Sequence, residues 1–169
     1  MRGNFLVPIF ITYYTMISSL NYNLILLSRF SHLDGSHFRL LIDQMKPKDK
    51  KTLVYVPTAS YFYKEESTKS RGEQRRRARY DAKSKIDILK EALDIENSIL
   101  LELDDPKMNL DNINSALSKA GIVYVDGGNT FYLQKFMHKT KFWDLIDTNL
   151  RSGMLYMGCS AGAIVAGKR

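Results

Sequence analysis

Residues 122–130 read Ile-Val-Tyr-Val-Asp-Gly-Gly-Asn-Thr, and residues 154–163 read Met-Leu-Tyr-Met-Gly-Cys-Ser-Ala-Gly-Ala. Each opens with a short apolar run of the kind buried on both faces of a parallel sheet, then breaks into glycine-rich chain where a strand hands over to a helix. Similar runs occupy Leu24–Leu27, Leu53–Val56 and Ile99–Leu103, so five strands are expected, the last two over Ile122–Val125 and Met154–Met157. Between them lie helical spacings. Phe38, Leu41, Ile42 and Met45 form one, stopped at Lys46-Pro47, and Ala82, Ile86, Leu89 and Leu93 form another, with the arginines before it pointing elsewhere. Leu110, Ile113 and Leu117 mark a short helix, expected to close on Gly121 as a left-handed cap. A further helix starts near Thr130 and one more runs through Phe142, Leu145, Ile146 and Leu150. Strict alternation of this kind predicts a doubly wound, mostly parallel α/β sheet with helices on both faces. Such sheets hold their ligands at the carboxyl ends of the strands, where both glycine-rich segments fall.

The 169 residues suffice for one domain with a hydrophobic core. A single cysteine, Cys159, excludes an internal disulfide framework, and with only 3 histidines there is no zinc-type ligand cluster. No metal or other cofactor is therefore expected, and the expected compartment is the cytoplasm. The formal charge of +7 is mostly local: Lys69 to Lys85 holds eight basic residues against Glu73 and Asp81, leaving +6. No aromatic-interleaved or groove-reading motif accompanies the run, so it is read as a solvated helix face rather than a nucleic-acid site. Residues 1–22 are set apart as an N-terminal extension, with the folded domain over 23–169. The apolar stretch Phe5–Leu20 is interrupted by Pro8, Thr12, Thr15, Ser18 and Ser19, too short and polar to span a bilayer well. A gene-start artefact, a targeting segment and an anchor are its readings, in that order.

Gly158-Cys159-Ser160-Ala161-Gly162 fits G-x-S-x-G, with a strand before it and a helix-forming stretch, Ala161–Ala166, after it. Glycines two places either side of Ser160 let neighbouring backbones approach, so the serine sits on a sharp turn with its hydroxyl exposed above the sheet. The Ala161 amide, at the start of the helix, is a candidate oxyanion donor. Cys159 lacks the paired glycines, having Met157 and Ala161 two residues away, and is read as a small buried side chain. Gly127-Gly128-Asn129 offers a second flexible backbone segment at the same edge, with Asn129 or Thr130 as a possible helix N-cap.

Together, Ile122 to Leu133 and Tyr156 to Ala163 resemble the signature pair of the aspartyl dipeptidase (peptidase E) and cyanophycinase family of serine peptidases, and Val56-Pro57-Thr58-Ala59-Ser60 is similar to the end of that family's second strand. The resemblance extends from Asn23 to Arg169. It implies a flavodoxin-like fold related to class I glutamine amidotransferases, no metal, and hydrolysis of short peptides with an N-terminal aspartate. It further implies Ser160 as nucleophile, Gly128 and Ala161 as oxyanion-hole amides, and Gly127, Asn129, Gly158 and Gly162 as the supporting turns. A small peptide is the implied partner, and a homodimer is left open.

A serine hydroxyl needs a base, usually a histidine oriented by a carboxylate. The family places both after the elbow, whereas His32, His37 and His138 all precede it and only 9 residues follow Ser160. The reading at this point is of a domain incomplete at its C-terminus, with a catalytically inactive homologue or interaction module as the alternative to a working exopeptidase.

Overall fold

In the computed structural model, which describes residues 14–19, 22–30, 35–63, 65 and 67–167, the apolar runs become one six-stranded sheet. Its strands are β1 (Tyr14–Ser19), β2 (Tyr22–Leu27), β3 (Thr52–Val56), β4 (Asn97–Leu100), β5 (Ile122–Val125) and β6 (Leu155–Cys159), ordered β1-β2-β6-β5-β3-β4. Five of them are parallel, and β1 joins the β2 edge antiparallel. Counted from β3, the order β4-β3-β5-β6 is the 2-1-3-4 arrangement of a flavodoxin-like sheet, and β2 stands in the fifth place. The fold is a doubly wound α/β sheet.

Period-two alternation divides the strands between two cores. Leu53, Tyr55, Ile122, Tyr124, Leu155 and Met157 pack under α1 (Gly35–Met45) and α2 (Arg71–Leu93). Val54, Val56, Val123, Val125 and Tyr156 pack on the other face under α3 (Leu110–Ser118), α4 (Thr130–Lys139), α5 (Phe142–Arg151) and α6 (Ala161–Ala166). All four residues of β5 are fully buried, which is why that run carries no polar position. The central strands β5, β3 and β6 thus deliver their carboxyl ends to one edge, facing solvent between the two helical layers.

Several expectations differ in detail. First, α2 begins at Arg71 and so contains the arginines instead of following them. Ser70 accepts from the Glu73 amide while Glu73 accepts from that of Ser70, a reciprocal capping box that starts the helix. Secondly, β4 ends at Leu100 and the chain leaves the sheet before Leu101 and Leu103, whose side chains stay buried against the α3 side. Thirdly, α3 ends at Ser118 with Lys119 as a right-handed cap, and Gly121 has no positive φ. Gly121 is required by crowding: an added Cβ would overlap the Asp49 backbone, where the loop before β3 crosses the start of β5. β1 lies within the stretch set apart as an extension, and β6 runs to Cys159, one turn of the pleat beyond the predicted end.

The crowding at Gly121 is testable. Gly121→Ala and Gly121→Asn should each lower the urea midpoint at unchanged slope, corresponding to a loss of about 1–3 kcal/mol. Parent stability in Gly121→Asn, a residue that tolerates left-handed caps, would restore the cap reading.

Candidate active site

The elbow is built from the end of β6 and the start of α6. Ser160 is exposed and has φ 48° and ψ −106°, a sparsely populated conformation for a residue with a Cβ. Its amide donates to the Leu27 carbonyl at 2.8 Å, and its carbonyl accepts from the Ile164 amide at 2.9 Å, so the turn is tied to β2 on one side and to its own helix on the other. The flanking glycines have a steric origin. A Cβ on Gly158 would lie 2.6 Å from the Gly162 carbonyl oxygen, and one on Gly162 would overlap the carbonyl of Val125, the last residue of β5. The buried Tyr156 hydroxyl donates to that same Gly162 carbonyl at 2.7 Å, holding the first turn of α6 down on the sheet.

The second glycine-rich segment meets the first. An ideal Cβ on Gly127 would lie 3.2 Å from Ser160 Cβ and 3.8 Å from its Oγ. Gly128 has φ 139° and presses against the Ala59 carbonyl, a conformation and a closeness that only glycine accepts. Asn129 caps α4, its side chain accepting from the Tyr132 amide at 2.8 Å, while its own amide donates to the Ala59 carbonyl at 2.9 Å. Of the residues singled out in the sequence, Gly127 therefore meets Ser160, the neighbour of Ala161, while Gly128 packs on Ala59. Asn129, Gly158 and Gly162 shape the turns around Ser160.

Cys159 is buried on the α1–α2 side of the sheet, and burial pushes its thiol up, so it stays protonated near neutral pH. His138 is exposed in the last turn of α4, at the end remote from Gly128. His32 lies outside the described residues, as does the side chain of His37. Among the described residues, Ser160 Oγ has no hydrogen bond to a protein group. Among the same residues no group of three or more His, Cys, Asp or Glu side chains is placed to hold a metal ion, and no helix is long and apolar enough to cross a membrane.

Beside the elbow opens a cleft of about 720 Å³ between α2, the single 3₁₀ turn Thr58–Tyr61 that follows β3, and Asp126. Outside the lining of that cleft, the same helix carries charge pairs that the reading of a solvated arginine face did not anticipate. Arg75 makes a two-pronged pair with Asp104 at 2.5 and 3.2 Å, and Arg79 grips both oxygens of Glu102. The Asp104 side chain is 1% exposed and also accepts from the Tyr132 hydroxyl at 3.0 Å, joining α2 to α4. Lys85 reaches the carboxylate of Asp126. Burial alone would raise the Glu102 carboxyl, but the Arg79 hydrogen bonds, the nearby Tyr61 hydroxyl and the two guanidinium charges outweigh it and hold it below the usual carboxylate range. Tyr132 is pushed up to about 12 by burial and by Asp104. Part of the basic run is therefore spent on internal carboxylates. The signal was present in the spacing: Arg75 and Arg79 continue the stripe of Ala82, Ile86, Leu89 and Leu93 toward the N-terminus at steps of three and four.

The model of peptidase family S51 matches residues 24–169. The chain belongs to peptidase family S51. An uncharacterised peptidase of Pasteurella multocida (strain Pm70) is 31% identical to it over 129 residues, 76% of this chain and 54% of that one. A protein named peptidase E from the same organism is 44% identical over 52 residues, 31% of this chain and 22% of that one. Among solved structures, a candidate peptidase E of Listeria monocytogenes EGD-e superposes with a TM-score of 0.55 at 26% identity, covering 86% of this chain and 62% of that one. A peptidase from an acI-B1 actinobacterium shares the fold, with a TM-score of 0.58 at 24% identity, covering 84% and 55%. The S51 chain spans about half the length of the curated relatives it matches.

Two measurements check the local energetics of the elbow and of the Glu102 pairing. Strain at Ser160 should make Ser160→Gly more stable than Ser160→Ala by about 1 kcal/mol, read from denaturation midpoints, since a side chain at this φ is disfavoured by roughly 1–3 kcal/mol and glycine's added freedom in the unfolded chain offsets part of that. Equal stabilities would mean that the turn is unstrained. Glu102, depressed in the folded state, adds stability at neutral pH that disappears as pH falls through and below the ordinary carboxylate range. Glu102→Gln should then be less stable at pH 7 by about 1–3 kcal/mol, with the difference shrinking toward pH 3; a gap independent of pH would contradict the pairing.

Proposed function

We propose that this chain carries the nucleophile half of a serine exopeptidase that hydrolyses short peptides with an N-terminal aspartate. The observation that supports the reading most is Ser160 itself: an exposed hydroxyl held at φ 48° above the sheet, with the Gly127–Gly128 turn against it and a helix beginning at the next residue. Ser160 Oγ attacks the scissile carbonyl carbon. The amides of Ala161 and Gly128 receive the developing oxyanion, each donor being worth about 2.7–4 kcal/mol where such donors have been removed. At the first turn of α6 the Ala161 amide has no acceptor within the helix, and the dipole of that helix adds to the field. The tetrahedral intermediate then collapses, the amine leaves with a proton, and water releases the acid from Ser160.

The preference for an aspartyl substrate is supported by the resemblance in the sequence, by the relatives named peptidase E, and by the cleft beyond Asp126, which Lys69 and Arg77 line. The described residues do not supply the base and its carboxylate partner, and the family resemblance puts both after the elbow. Without a base the Ser160 hydroxyl keeps its proton and the step stalls.

An external base tests this without any added protein. A fluorophosphonate should label the folded chain at Ser160 slowly, and faster as imidazole is added, in proportion to its unprotonated fraction; Ser160→Ala should abolish labelling. Silence of the folded chain at every imidazole concentration, or labelling that survives Ser160→Ala, would favour an inactive homologue with an interaction role.

A further inference from the structure

One buried charge pair at the carboxyl edge has no part in the reaction just described. Asp126 follows β5, its side chain is 2% exposed, and it accepts three hydrogen bonds. Lys85 Nζ donates at 3.0 Å to Oδ1 and at 2.7 Å to Oδ2, and the Gly127 amide donates at 2.8 Å to Oδ1. Lys85 arrives from the middle of α2, and its ammonium also lies 5.6 Å from the centre of the Phe30 ring, beyond the end of β2. The pair thus ties α2 on one helical layer to the glycine turn over the sheet, across 41 residues of sequence.

Stability is a weak reason for such a pair. Desolvating both ions costs about as much as their attraction returns, and well-packed apolar residues of similar volume commonly replace buried pairs without loss. Geometry gives a stronger reason. The turn is pinned at its two ends, where the Asp126 amide donates to the Val56 carbonyl at 3.0 Å and the Asn129 amide to that of Ala59 at 2.9 Å. Between those pins stand two glycines, the residues freest to rotate. The bond from the Gly127 amide to Asp126 fixes the first peptide plane after the strand, and so limits where the next amide, that of Gly128, can point. Lys85 in turn prevents the carboxylate from swinging to solvent.

We infer that Lys85 and Asp126 are positioning residues that hold the Gly127–Gly128 turn, and with it the Gly128 amide, in register with Ser160. The catalytic consequence rests on the serine-peptidase reading above; the positional one does not. The full chain labelled with ¹⁵N-glycine separates them, because its ten glycine amides can be followed singly while Ser160 is phosphonylated in imidazole. Lys85→Arg, which keeps the two-pronged contact, should leave the Gly127 and Gly128 signals and the reaction near those of the unsubstituted chain. Lys85→Met should move those two signals while sparing the others, and lower the limiting phosphonylation rate at least about tenfold at unchanged half-saturation. If the single variant misfolds, the double variant Lys85→Met with Asp126→Leu removes both charges together and reports the same loss. A folded double variant with both glycine signals and the limiting rate unchanged would overturn the inference. Failure of the unsubstituted chain to react would instead sink the serine-peptidase reading, and the glycine signals would still decide the strut.

Discussion

The structure depends on how closely three backbones meet at the carboxyl edge of the sheet. The end of β5 touches the first turn of α6, so that Gly162 has no room for a Cβ beneath the Val125 carbonyl, and Gly128 is pressed in the same way against Ala59 at the end of β3. Closeness of this kind requires strands buried on both faces, because only a continuous apolar sheet brings three parallel strand ends to one level with helices above and below. The strained Ser160 is a consequence. With Gly158 and Gly162 in contact, the chain can turn from strand to helix only by pushing the residue between them to positive φ, and its side chain is lifted into the open.

Charge is arranged around that edge with the same economy. Asp104, Asp126 and Glu102 are nearly or fully withdrawn from water, and each is met by a cation from α2. A buried carboxylate without such a partner would be neutral or expelled. One helix therefore does several jobs: Ile86, Leu89 and Leu93 pack on the sheet, Arg77, Ser84 and Lys85 line the cleft, and Arg75, Arg79 and Lys85 neutralise the three carboxylates. The net charge of +7 owes much to this helix, part of whose basic run is paired with internal carboxylates.

Most of the architecture was legible in the sequence because both of its signals are local. Runs such as Ile122–Val125 declare a doubly buried strand, and the two glycines around Ser160 declare an elbow by spacing alone. The strand order is not local, yet β-α alternation restricts it to few choices, and the observed sheet falls among them. What escaped were features settled by contact between distant segments. Gly121 looks like a helix cap in sequence and is in fact a clearance for Asp49; Asp126, given no role in the sequence, is a buried partner of Lys85. The Arg75 and Arg79 stripe, and the Ser70–Glu73 capping box that starts their helix, were visible in the spacing but were outweighed by the expectation that arginines face water. A base for Ser160 is the one element of the chemistry that the described residues do not supply.

The most direct measurement of the central claim is a crystal structure of the chain after reaction with diisopropyl fluorophosphate in imidazole. The account requires a covalent adduct on Ser160 Oγ with the phosphoryl oxygen about 2.7–3.1 Å from the amide nitrogens of both Gly128 and Ala161. An adduct on another residue, or one on Ser160 whose phosphoryl oxygen points to solvent away from those amides, would contradict it.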